Sequence, residues 1–292
     1  MLIRHLSIIG VGLIGGSLAR ALKKAKLVEH VTGCNRSEDT MKRALKLGVI
    51  DDYSKNISQA VKGADVVVIG TPLSVSEKIL PNIAESVSTK TIITDVGSVK
   101  GGIVNAARES LANKFCNFVP GHPIAGTEKN GVEYSFEDLF VNHRVILTPL
   151  KETSPDAYKL ISEMWESVGA EVIDLDVQYH DEVLAATSHL PHMLAYALVD
   201  CLAGMQERDE IFKYAAGGFA DFTRIASSNP EMWHDICFSN RDALVQTLNI
   251  FSEHIDQLKV AINKSNSNEL LKIFRRAKEA RDKFNKEEND KI

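Results

Sequence analysis

This 292-residue sequence lacks the features that mark several specialised classes of protein. Its four cysteines form no CxxC pair, which argues against a disulfide framework or a cysteine-ligated metal site. No apolar run approaches the ~18 residues of a membrane span, and the first residues resemble no signal peptide. The net charge of −5 provides no overall basic surface for nucleic acid or anionic lipid. We therefore expect a cytoplasmic protein that binds no nucleic acid, membrane or metal.

The composition that remains is that of a folded protein with a substantial interior. Hydrophobic residues make up 44% of the chain and charged residues 25%, and the length suggests two domains. Strand-like segments alternate with helical ones up to residue 176, and only helical patterns follow. We predict an α/β Rossmann-type domain with a doubly wound, mostly parallel sheet at residues 1–176. An all-α domain for substrate binding and dimerisation is predicted at residues 177–292.

A glycine-rich turn opens the first domain, between a short predicted strand and the first helix. Its sequence is GVGLIG, the G-x-G-x-x-G pattern in the strand-to-helix context that dinucleotide binding requires. Gly10 permits a tight turn, Gly12 lets the backbone approach a pyrophosphate, and Gly15 allows close packing of helix on strand. The free N–H groups of the helix then favour phosphate. The cofactor-binding candidates of this turn are Gly10, Gly12, Leu13, Ile14 and Gly15.

The second predicted strand ends in Asn35, Arg36 and Ser37, which bear on the choice between NAD and NADP. An NAD-selective site usually has an acidic residue at this position to bind the ribose hydroxyls. Without that carboxylate a 2′-phosphate is not repelled, and Arg36 and Ser37 offer it a positive charge and a hydrogen bond. We therefore expect NADP or NAD as cofactor, with a lean to NADP. The alternative is NAD bound through Asn35, with Arg36 solvated.

Three further predicted strands each end beside polar residues. The first is followed by Thr71 and Pro72, the second by Ser98, and the third, at residues 116–120, by a loop that carries His122. Ligands collect at the carboxyl ends of parallel strands, so these side chains are expected to share one crevice beside the glycine turn. Histidine is the side chain best suited to move a proton near neutral pH.

The helical part of the chain contains several strongly apolar segments. A long helix is predicted at residues 180–204, and Pro191 should kink it because proline cannot donate to the carbonyl of Thr187. Further helices are predicted at residues 240–263 and from about residue 267 onward. About 115 residues with such apolar faces need a partner surface, so we predict a homodimer through this domain.

Five ordered motifs resemble the prephenate/arogenate (cyclohexadienyl) dehydrogenase family over nearly the whole chain. They are GVGLIGGS at residues 10–17, DVGSVK at 95–100, GHPIAGTE at 121–128, SHLPH at 188–192 and DFTRIA at 221–226. The resemblance implies oxidative decarboxylation of prephenate to 4-hydroxyphenylpyruvate, or of arogenate to tyrosine, with hydride transfer to NAD(P). It also implies a Rossmann domain followed by a dimerising helical domain.

The resemblance assigns roles to individual residues. His122 matches the histidine that accepts the proton of the substrate's ring hydroxyl, and Ser98 matches the serine that helps to position that hydroxyl. Arg224 matches the arginine that anchors the ring carboxylate. The other substrate-binding candidates line or gate the pocket, and they are Ser188, His192, Thr127, Glu128, Gly217 and Trp233.

The chemistry of this reaction agrees with those roles. The ring hydroxyl must lose its proton as hydride leaves, and a neutral imidazole with a pKa near ~6.5 is well matched to that task. The substrate is a small dianion in a protein of negative net charge, so a guanidinium such as Arg224 is needed for bidentate binding of a carboxylate. Family members often carry Arg or Lys where this chain has Ala220, which leaves the preference for prephenate or arogenate open.

Two other hypotheses fit parts of the sequence. A β-hydroxyacid dehydrogenase shares the Rossmann half and the Asn-Arg-Ser turn, but it depends on a lysine on a helix of its second domain, and no such lysine follows the SHLPH motif at the expected place. A non-catalytic nucleotide-binding dimer is the second. The presence of His122, Ser98 and Arg224 together argues against it.

Overall fold

A computed structural model of the protein describes residues 2–127, 129–205 and 208–289. The strands are β1 (Ile3–Ile9), β2 (Val28–Cys34), β3 (Asp52–Tyr53), β4 (Val66–Ile69), β5 (Ile92–Asp95), β6 (Phe118–Val119), β7 (Gly121–Pro123), β8 (Arg144–Leu147) and β9 (Glu171–Asp174). The helices are α1 (Leu13–Lys24), α2 (Glu38–Lys46), α3 (Ile57–Ala60), α4 (Leu73–Ser86), α5 (Gly101–Leu111), α6 (Pro155–Glu166), α7 (Val177–Leu184), α8 (Leu190–Ala203), α9 (Arg208–Lys213), α10 (Gly217–Thr223), α11 (Pro230–Ser239), α12 (Arg241–Asn263) and α13 (Ser267–Asn289).

Six parallel strands form the main sheet in the order β3-β2-β1-β4-β5-β6. The chain moves outward from β1 in one direction and then returns to continue from β4 in the other. The carboxyl ends of β1 and β4 therefore flank the point where the strand order reverses, which is where doubly wound sheets bind ligands. This order confirms the predicted Rossmann-type fold.

Apolar clusters cover both faces of this sheet. Along β4, Val66 and Val68 belong to one cluster, while Val67 and Ile69 belong to the other. Successive side chains of a strand point to opposite faces. A strand with a buried cluster on each face is therefore apolar at every position, as this one is.

The segment before His122 differs from its prediction, because the strand expected at residues 116–120 is only β6. Pro120 has no N–H group to continue the parallel ladder, and its carbonyl instead accepts a hydrogen bond from the Thr148 N–H at 3.0 Å. The chain then enters a second, three-stranded sheet in which β7 is antiparallel to β8, and β8 is parallel to β9. His122 is therefore a strand residue opposite Ile146 and not a loop residue.

The single long helix predicted at residues 180–204 is also wrong in detail. The chain forms α7, then a π-helical turn at Ala185–His189, and then α8, with Pro191 in its first turn. Because proline cannot donate a hydrogen bond to the carbonyl of the preceding turn and its ring crowds that carbonyl, the wider π turn relieves the conflict. The predicted irregularity at Pro191 is present, one turn earlier in the chain.

The chain divides into two compact units, Met1–Ala243 and Leu244–Ile292. In the first unit the helices after β9 are attached to the nucleotide-binding part. Leu73 and Val99 form a buried cluster with Trp233 and Ile236. The Ser74 hydroxyl donates to the Asp235 carboxylate at 2.6 Å. The predicted division into domains at residues 1–176 and 177–292 stays a prediction.

The second unit consists of the greater part of α12 and all of α13. Large apolar side chains are exposed along both helices, and among them are Val245, Ile250, Val260, Ile262, Leu271, Phe274 and Phe284. Within the described part of the chain, no helix is both long enough and apolar enough to cross a membrane.

Candidate active site

The glycine turn between β1 and α1 has the backbone geometry of a dinucleotide-binding loop. Gly10 has a φ of +95°, and a Cβ there would lie 2.4 Å from the Gly70 carbonyl oxygen. A Cβ at Gly15 would lie 2.8 Å from the Gly10 carbonyl oxygen, so helix and turn pack closely. At Gly12 an added Cβ would meet nothing within 4 Å, so the backbone there faces open space that a pyrophosphate would fill. These residues fit a dinucleotide.

A cavity of about 340 Å³ adjoins this turn at the point where the strand order reverses. It is lined by Ile9, Gly10, Gly12, Cys34, Asn35, Arg36, Lys55, Ile57, Gly70, Thr71, Pro72, Val75 and Ile79. Six predicted cofactor residues are thus brought together around one space. Leu13, Ile14 and Gly15 occupy the first turn of α1 behind it.

The loop after β2 is held by its own side chains. The Asn35 side-chain oxygen accepts from the Ser37 N–H at 3.2 Å, and the Ser37 hydroxyl oxygen accepts from the Thr40 N–H at 3.2 Å, which caps α2. Arg36 and Lys55 line the cavity beside this loop and are both exposed. Lys55 was not found from the sequence, because its place beside Arg36 comes from folding and no local pattern marks it.

A buried ion pair joins the loop that carries Ser98 to the strand that carries His122. The Lys100 ammonium donates to the Asp95 carboxylate and, at 2.7 Å, to the Gly121 carbonyl oxygen. Asp95 in turn accepts from the N–H groups of Gly97 at 2.9 Å and Gly121 at 3.2 Å. Burial lowers the pKa of Lys100, against the opposing effect of Asp95. This pair fixes Ser98, which lies between Gly97 and Lys100, relative to β7.

His122 lies at one end of a buried chain of hydrogen bonds. Its Nδ1 atom is 2.9 Å from Nε2 of His180, whose Nδ1 atom is 2.8 Å from Oδ1 of Asp181. Burial is the main cause that holds the pKa of His122 well below 6.5, and Lys100 and the neighbouring His180 and His189 rings also oppose a positive charge there. The imidazole is therefore neutral near neutral pH and able to accept a proton.

The Asp181 carboxylate also reaches the first residues of α5. Its Oδ1 atom accepts from the Lys100 N–H and its Oδ2 atom from the Gly101 N–H, both at 2.8 Å. Sequence reasoning missed His180 and Asp181. The only local signal is a histidine next to an aspartate in the first helix after β9, and their contact with His122 spans 58 residues of chain.

A second cluster contains four predicted substrate residues. The His192 ring stacks on Trp233 at a centroid distance of 3.7 Å, and its Nδ1 atom is 2.9 Å from the Ser188 carbonyl oxygen. Burial lowers the pKa of His192, and the charge of Arg224 lowers it further against the effect of the Ser188 carbonyl. Arg224 is therefore close enough to influence the charge of His192. The structure thus brings Ser188, His192, Arg224 and Trp233 into one region.

His189 connects this cluster to the His122 chain. Its ring meets Trp233 edge-on at a centroid distance of 6.0 Å, and its Nδ1 atom is 3.1 Å from the side-chain nitrogen of Asn240. The same Asn240 nitrogen donates to the Asp181 carbonyl oxygen at 2.7 Å. Burial is the main reason that the pKa of His189 falls to about 4. The predicted base is therefore linked to His192 and Trp233 by one framework of hydrogen bonds and ring contacts.

Two of the described substrate candidates, Thr127 and Gly217, show no contact with this framework that supports their role. Thr127 is exposed, and its hydroxyl bonds with the backbone of Lys129. Gly217 begins α10, where an added Cβ would meet nothing within 4 Å. Glu128 lies outside the described residues.

Two family models match this chain. One is described as the nucleotide-binding domain of prephenate dehydrogenase and matches residues 18–174. The other is described as the dimerization domain of prephenate dehydrogenase and matches residues 176–276. The cyclohexadienyl dehydrogenase of Zymomonas mobilis is 38% identical over 280 residues, which cover 95% of each protein. The prephenate dehydrogenase of Bacillus subtilis is 37% identical over 94% of this chain and 74% of its own length.

Solved structures give the same relationship. The chain is similar to Aquifex aeolicus prephenate dehydrogenase in complex with hydroxyphenyl propionate and NAD+, with a TM-score of 0.90 and 36% identity. That match covers 96% of this chain and 98% of the other. The arogenate dehydrogenase of Synechocystis gives a TM-score of 0.82 at 29% identity, with 96% and 99% of the two chains covered.

Proposed function

The chain belongs to the prephenate dehydrogenase family, and from this premise we propose how it performs the family's reaction. The reaction converts prephenate to 4-hydroxyphenylpyruvate and carbon dioxide with hydride transfer to NAD(P)+, as a cytoplasmic step of tyrosine biosynthesis. One observation supports the proposal most directly: a buried, neutral His122 is joined through Lys100 to the strand-end loop that carries Ser98. Because the chain belongs to this family, we set aside the two alternatives, a β-hydroxyacid dehydrogenase and a non-catalytic nucleotide-binding dimer.

The cofactor is held at the glycine turn. Gly10, Gly12 and the first turn of α1 would hold the pyrophosphate, and Thr71 and Pro72 line the same cavity. NAD(P)+ bound there supplies the hydride acceptor. The chain's own residues then have to orient the substrate and take up the proton of its ring hydroxyl.

His122 takes up that proton, with Ser98 positioning the hydroxyl. As hydride leaves the ring carbon, the hydroxyl oxygen becomes a carbonyl-like centre and its proton passes to the imidazole. Loss of carbon dioxide then restores an aromatic ring, and the resulting phenolate oxygen takes the proton back. The ring's aromaticity makes the step favourable, so orientation is the main requirement of the protein.

Arg224 anchors the ring carboxylate of the substrate. A guanidinium pairs with a carboxylate through two parallel hydrogen bonds. The His192–Trp233 stack, at 3.7 Å, provides a fixed surface beside it for the substrate's side chain. Ser188 and Gly217 belong to the same end of the pocket in this proposal, and Thr127 and Glu128 to its entrance.

We infer that both prephenate and arogenate are substrates. They differ in the side chain, where arogenate carries an ammonium group and prephenate a keto group. A cation at the position of Ala220 would repel that ammonium group, and alanine does not. The relative from Zymomonas mobilis is a cyclohexadienyl dehydrogenase, and the similar structure from Synechocystis is an arogenate dehydrogenase.

We infer further that the enzyme accepts both cofactors and favours NADP. Asn35 stands where a carboxylate would repel a 2′-phosphate, and two cationic side chains, Arg36 and Lys55, line the cavity nearby. The Ser37 hydroxyl caps α2 through its oxygen and keeps its own proton to donate.

The functional form is a homodimer in this proposal. The second unit, Leu244–Ile292, exposes a series of large apolar side chains on α12 and α13. Exposed apolar patches of this kind mark association surfaces. The family model over residues 176–276 describes a dimerization domain.

The decisive experiment is an assay of the purified protein. Prephenate and arogenate are each combined with NAD+ and with NADP+, and reduction of the nicotinamide is followed by absorbance. We expect turnover of both substrates and a higher kcat/KM with NADP+. Absence of turnover in all four combinations would overturn the proposed function, whereas turnover of one substrate alone would correct only the inference about Ala220.

A further inference from the structure

We propose that His180 and Asp181 are positioning residues that hold His122 in the tautomer whose Nε2 atom carries the lone pair. This inference deepens the proposed function and rests on it. It assigns two residues to the reaction that lie outside the five family motifs. The juxtaposition that supports it is the unbroken path from Asp181 through His180 to His122, with steps of 2.8 Å and 2.9 Å.

The direction of each hydrogen bond follows from the carboxylate at the end of the path. Burial alone would raise the pKa of Asp181, but hydrogen bonds from His180 and from the Lys100 and Gly101 N–H groups hold it below its ordinary value. Asp181 is thus an ionised acceptor, and Nδ1 of His180 must donate to it. Nε2 of a neutral His180 is then an acceptor, so Nδ1 of His122 donates. Nε2 of His122 is left as the proton-accepting atom.

Without this path the two tautomers of His122 would compete. A neutral imidazole carries its proton on either nitrogen, and only the Nδ1–H form presents a lone pair on Nε2. The bond to His180 selects that form before substrate arrives. Orientation of a histidine by a third group is the general logic of such hydrogen-bonded chains.

The path also has a place for the proton during the reaction. When the substrate's O–H bond breaks, an N–H bond forms at Nε2 of His122. The Nδ1 proton of His122 is then free to move to Nε2 of His180, which places the positive charge beside the Asp181 carboxylate. The reverse shifts return a proton to the phenolate oxygen of the product, so the path regains its starting form after every turnover.

Asp181 is itself held by three parts of the chain. Its carboxylate accepts from two N–H groups at the start of α5, and its carbonyl accepts from the Asn240 side chain at 2.7 Å. The helix that carries it is capped by Asp176, whose side chain accepts from the Gln178 and Tyr179 N–H groups. One carboxylate therefore sets the position of His122 and of the loop that carries Ser98.

The other ionisable groups around the path are Lys100, Asp95 and His189. Lys100 is paired with Asp95, and its charge opposes protonation of His122. His189 lies on the Asn240 side of the path. The Asp181 carboxylate is the group that favours an added proton, which makes it the natural stabiliser of the charged intermediate state.

Substitutions of His180 separate positioning from mere packing. His180→Phe fills the volume and removes both hydrogen bonds, whereas a glutamine can accept from His122 with its oxygen and donate to Asp181 with its nitrogen. We expect His180→Phe to lower kcat by about 100-fold or more, with KM for prephenate changed less than about 3-fold. His180→Gln should stay within about 10-fold of the wild-type kcat. His143→Phe, at an exposed position, is the matched control and should leave kcat unchanged.

Equal kcat values in the Phe and Gln variants would overturn the inference. A raised KM with an unchanged kcat in His180→Phe would also overturn it. The tautomer itself is measured by ¹⁵N NMR of histidine-labelled wild-type protein, with the His122 signals identified by their loss in His122→Asn. We expect a protonated Nδ1 and an unprotonated Nε2 near neutral pH. A protonated Nε2 contradicts the inference, even if His180→Phe fails to fold.

Failure of the proposed function has a different signature. In that case the wild-type protein turns over neither substrate, while the NMR measurement still reports the tautomer. Wild-type turnover combined with unaffected His180 variants leaves the function intact and removes only the role of His180 and Asp181.

Discussion

The two ends of the proposed active site, one around His122 and one at the loop after β2, are built in opposite ways. Around His122 the polar groups are buried and joined to one another: Lys100 is fully buried, and Asp95 and Asp181 each accept several hydrogen bonds. Around the loop after β2, Arg36 and Lys55 are exposed beside an open cavity. In the proposed function the buried end performs proton transfer, which needs fixed geometry and a low dielectric. The exposed end is proposed to select between two cofactors that differ by one phosphate, which needs only nearby charge.

The contrast has an energetic consequence. A group at the buried end is desolvated, so loss of its partner leaves an unpaired charge or dipole inside the protein. A group at the exposed end exchanges its partner for water at little cost. Substitutions at the buried end should therefore have large effects on rate or stability, and those at the exposed end small effects on cofactor choice.

The largest effect is expected for His122→Asn. Removing the base should lower kcat by about 1,000-fold or more, because general base catalysis and the oriented hydrogen bond are lost together. Cofactor binding, followed by nicotinamide fluorescence, should remain within about 2-fold of wild type. A kcat within 10-fold of wild type would show that another group takes the proton and that proton transfer does not depend on the buried end.

Lys100→Met should cost about 3–5 kcal/mol of unfolding free energy, since it leaves the Asp95 carboxylate buried without its cation. Lys24→Met is the matched control, because Lys24 forms exposed ion pairs with Glu137 and Asp138. That change should have a much smaller effect on the unfolding free energy, because the pair is solvated. Chemical denaturation measures both. Equal losses in the two variants would contradict the difference in burial.

Arg224→Gln should reduce kcat/KM for prephenate, and the reduction should correspond to a loss of about 2–4 kcal/mol of transition-state stabilisation. The loss should come mainly from a higher KM, because an uncharged amide binds a carboxylate more weakly than a guanidinium does. The comparison variant is Arg108→Gln, whose ion pair with Glu152 is exposed. Steady-state kinetics on both variants provides the measurement. An unchanged KM in Arg224→Gln would place the anchor of the ring carboxylate elsewhere.

Acid should destabilise the buried end through its neutral histidines. The folded-state pKa of His189 is about 4, below its ordinary value of 6.5, so between these values the unfolded chain binds more protons. The neutral His189 ring therefore contributes about 3 kcal/mol to the free energy of unfolding above pH 6.5. This contribution is lost as the pH falls toward 4. His122 acts in the same direction. Chemical denaturation of wild type and His189→Gln is measured at pH 7.5 and pH 5, and the variant should lose less unfolding free energy between these two pH values. Equal losses in the two proteins would show that His189 is not the cause.

The smallest effect is expected at the exposed end. Arg36→Ala and Lys55→Ala should each raise KM for NADP+ by about 10-fold, which corresponds to about 1.4 kcal/mol, and change KM for NAD+ by less than about 3-fold. Lys62→Ala, also exposed, should change neither. Kinetics with both cofactors at low and moderate salt would test this. Equal changes for the two cofactors would mean that these cations bind a part common to both.

Sequence reasoning succeeded where the determining information is local. The glycine turn is recognised from Gly10, Gly12 and Gly15 because three nearby residues fix the whole conformation. The doubly wound, mostly parallel sheet is recognised from the alternation of strands and helices along the chain.

The rest depends on contacts between distant parts of the chain. The strand β7 has three residues and ends in proline, so no strand pattern marks it, and its partner β8 lies more than twenty residues later. The pairing of His122 with His180 spans 58 residues. Lys100 lies inside a recognised motif, yet its burial against Asp95 is visible only in the folded structure. These features arise from packing, which sequence periodicity does not encode.

The π turn at Ala185–His189 makes the number of residues in this helix matter as much as their identity. Each residue of an α-helix turns the side chains that follow by about 100°. If the same residues formed a regular α-helix instead, the extra residue would rotate His192 away from Trp233 while His180 stayed against His122. The wider turn therefore absorbs one residue and keeps both histidine contacts in register.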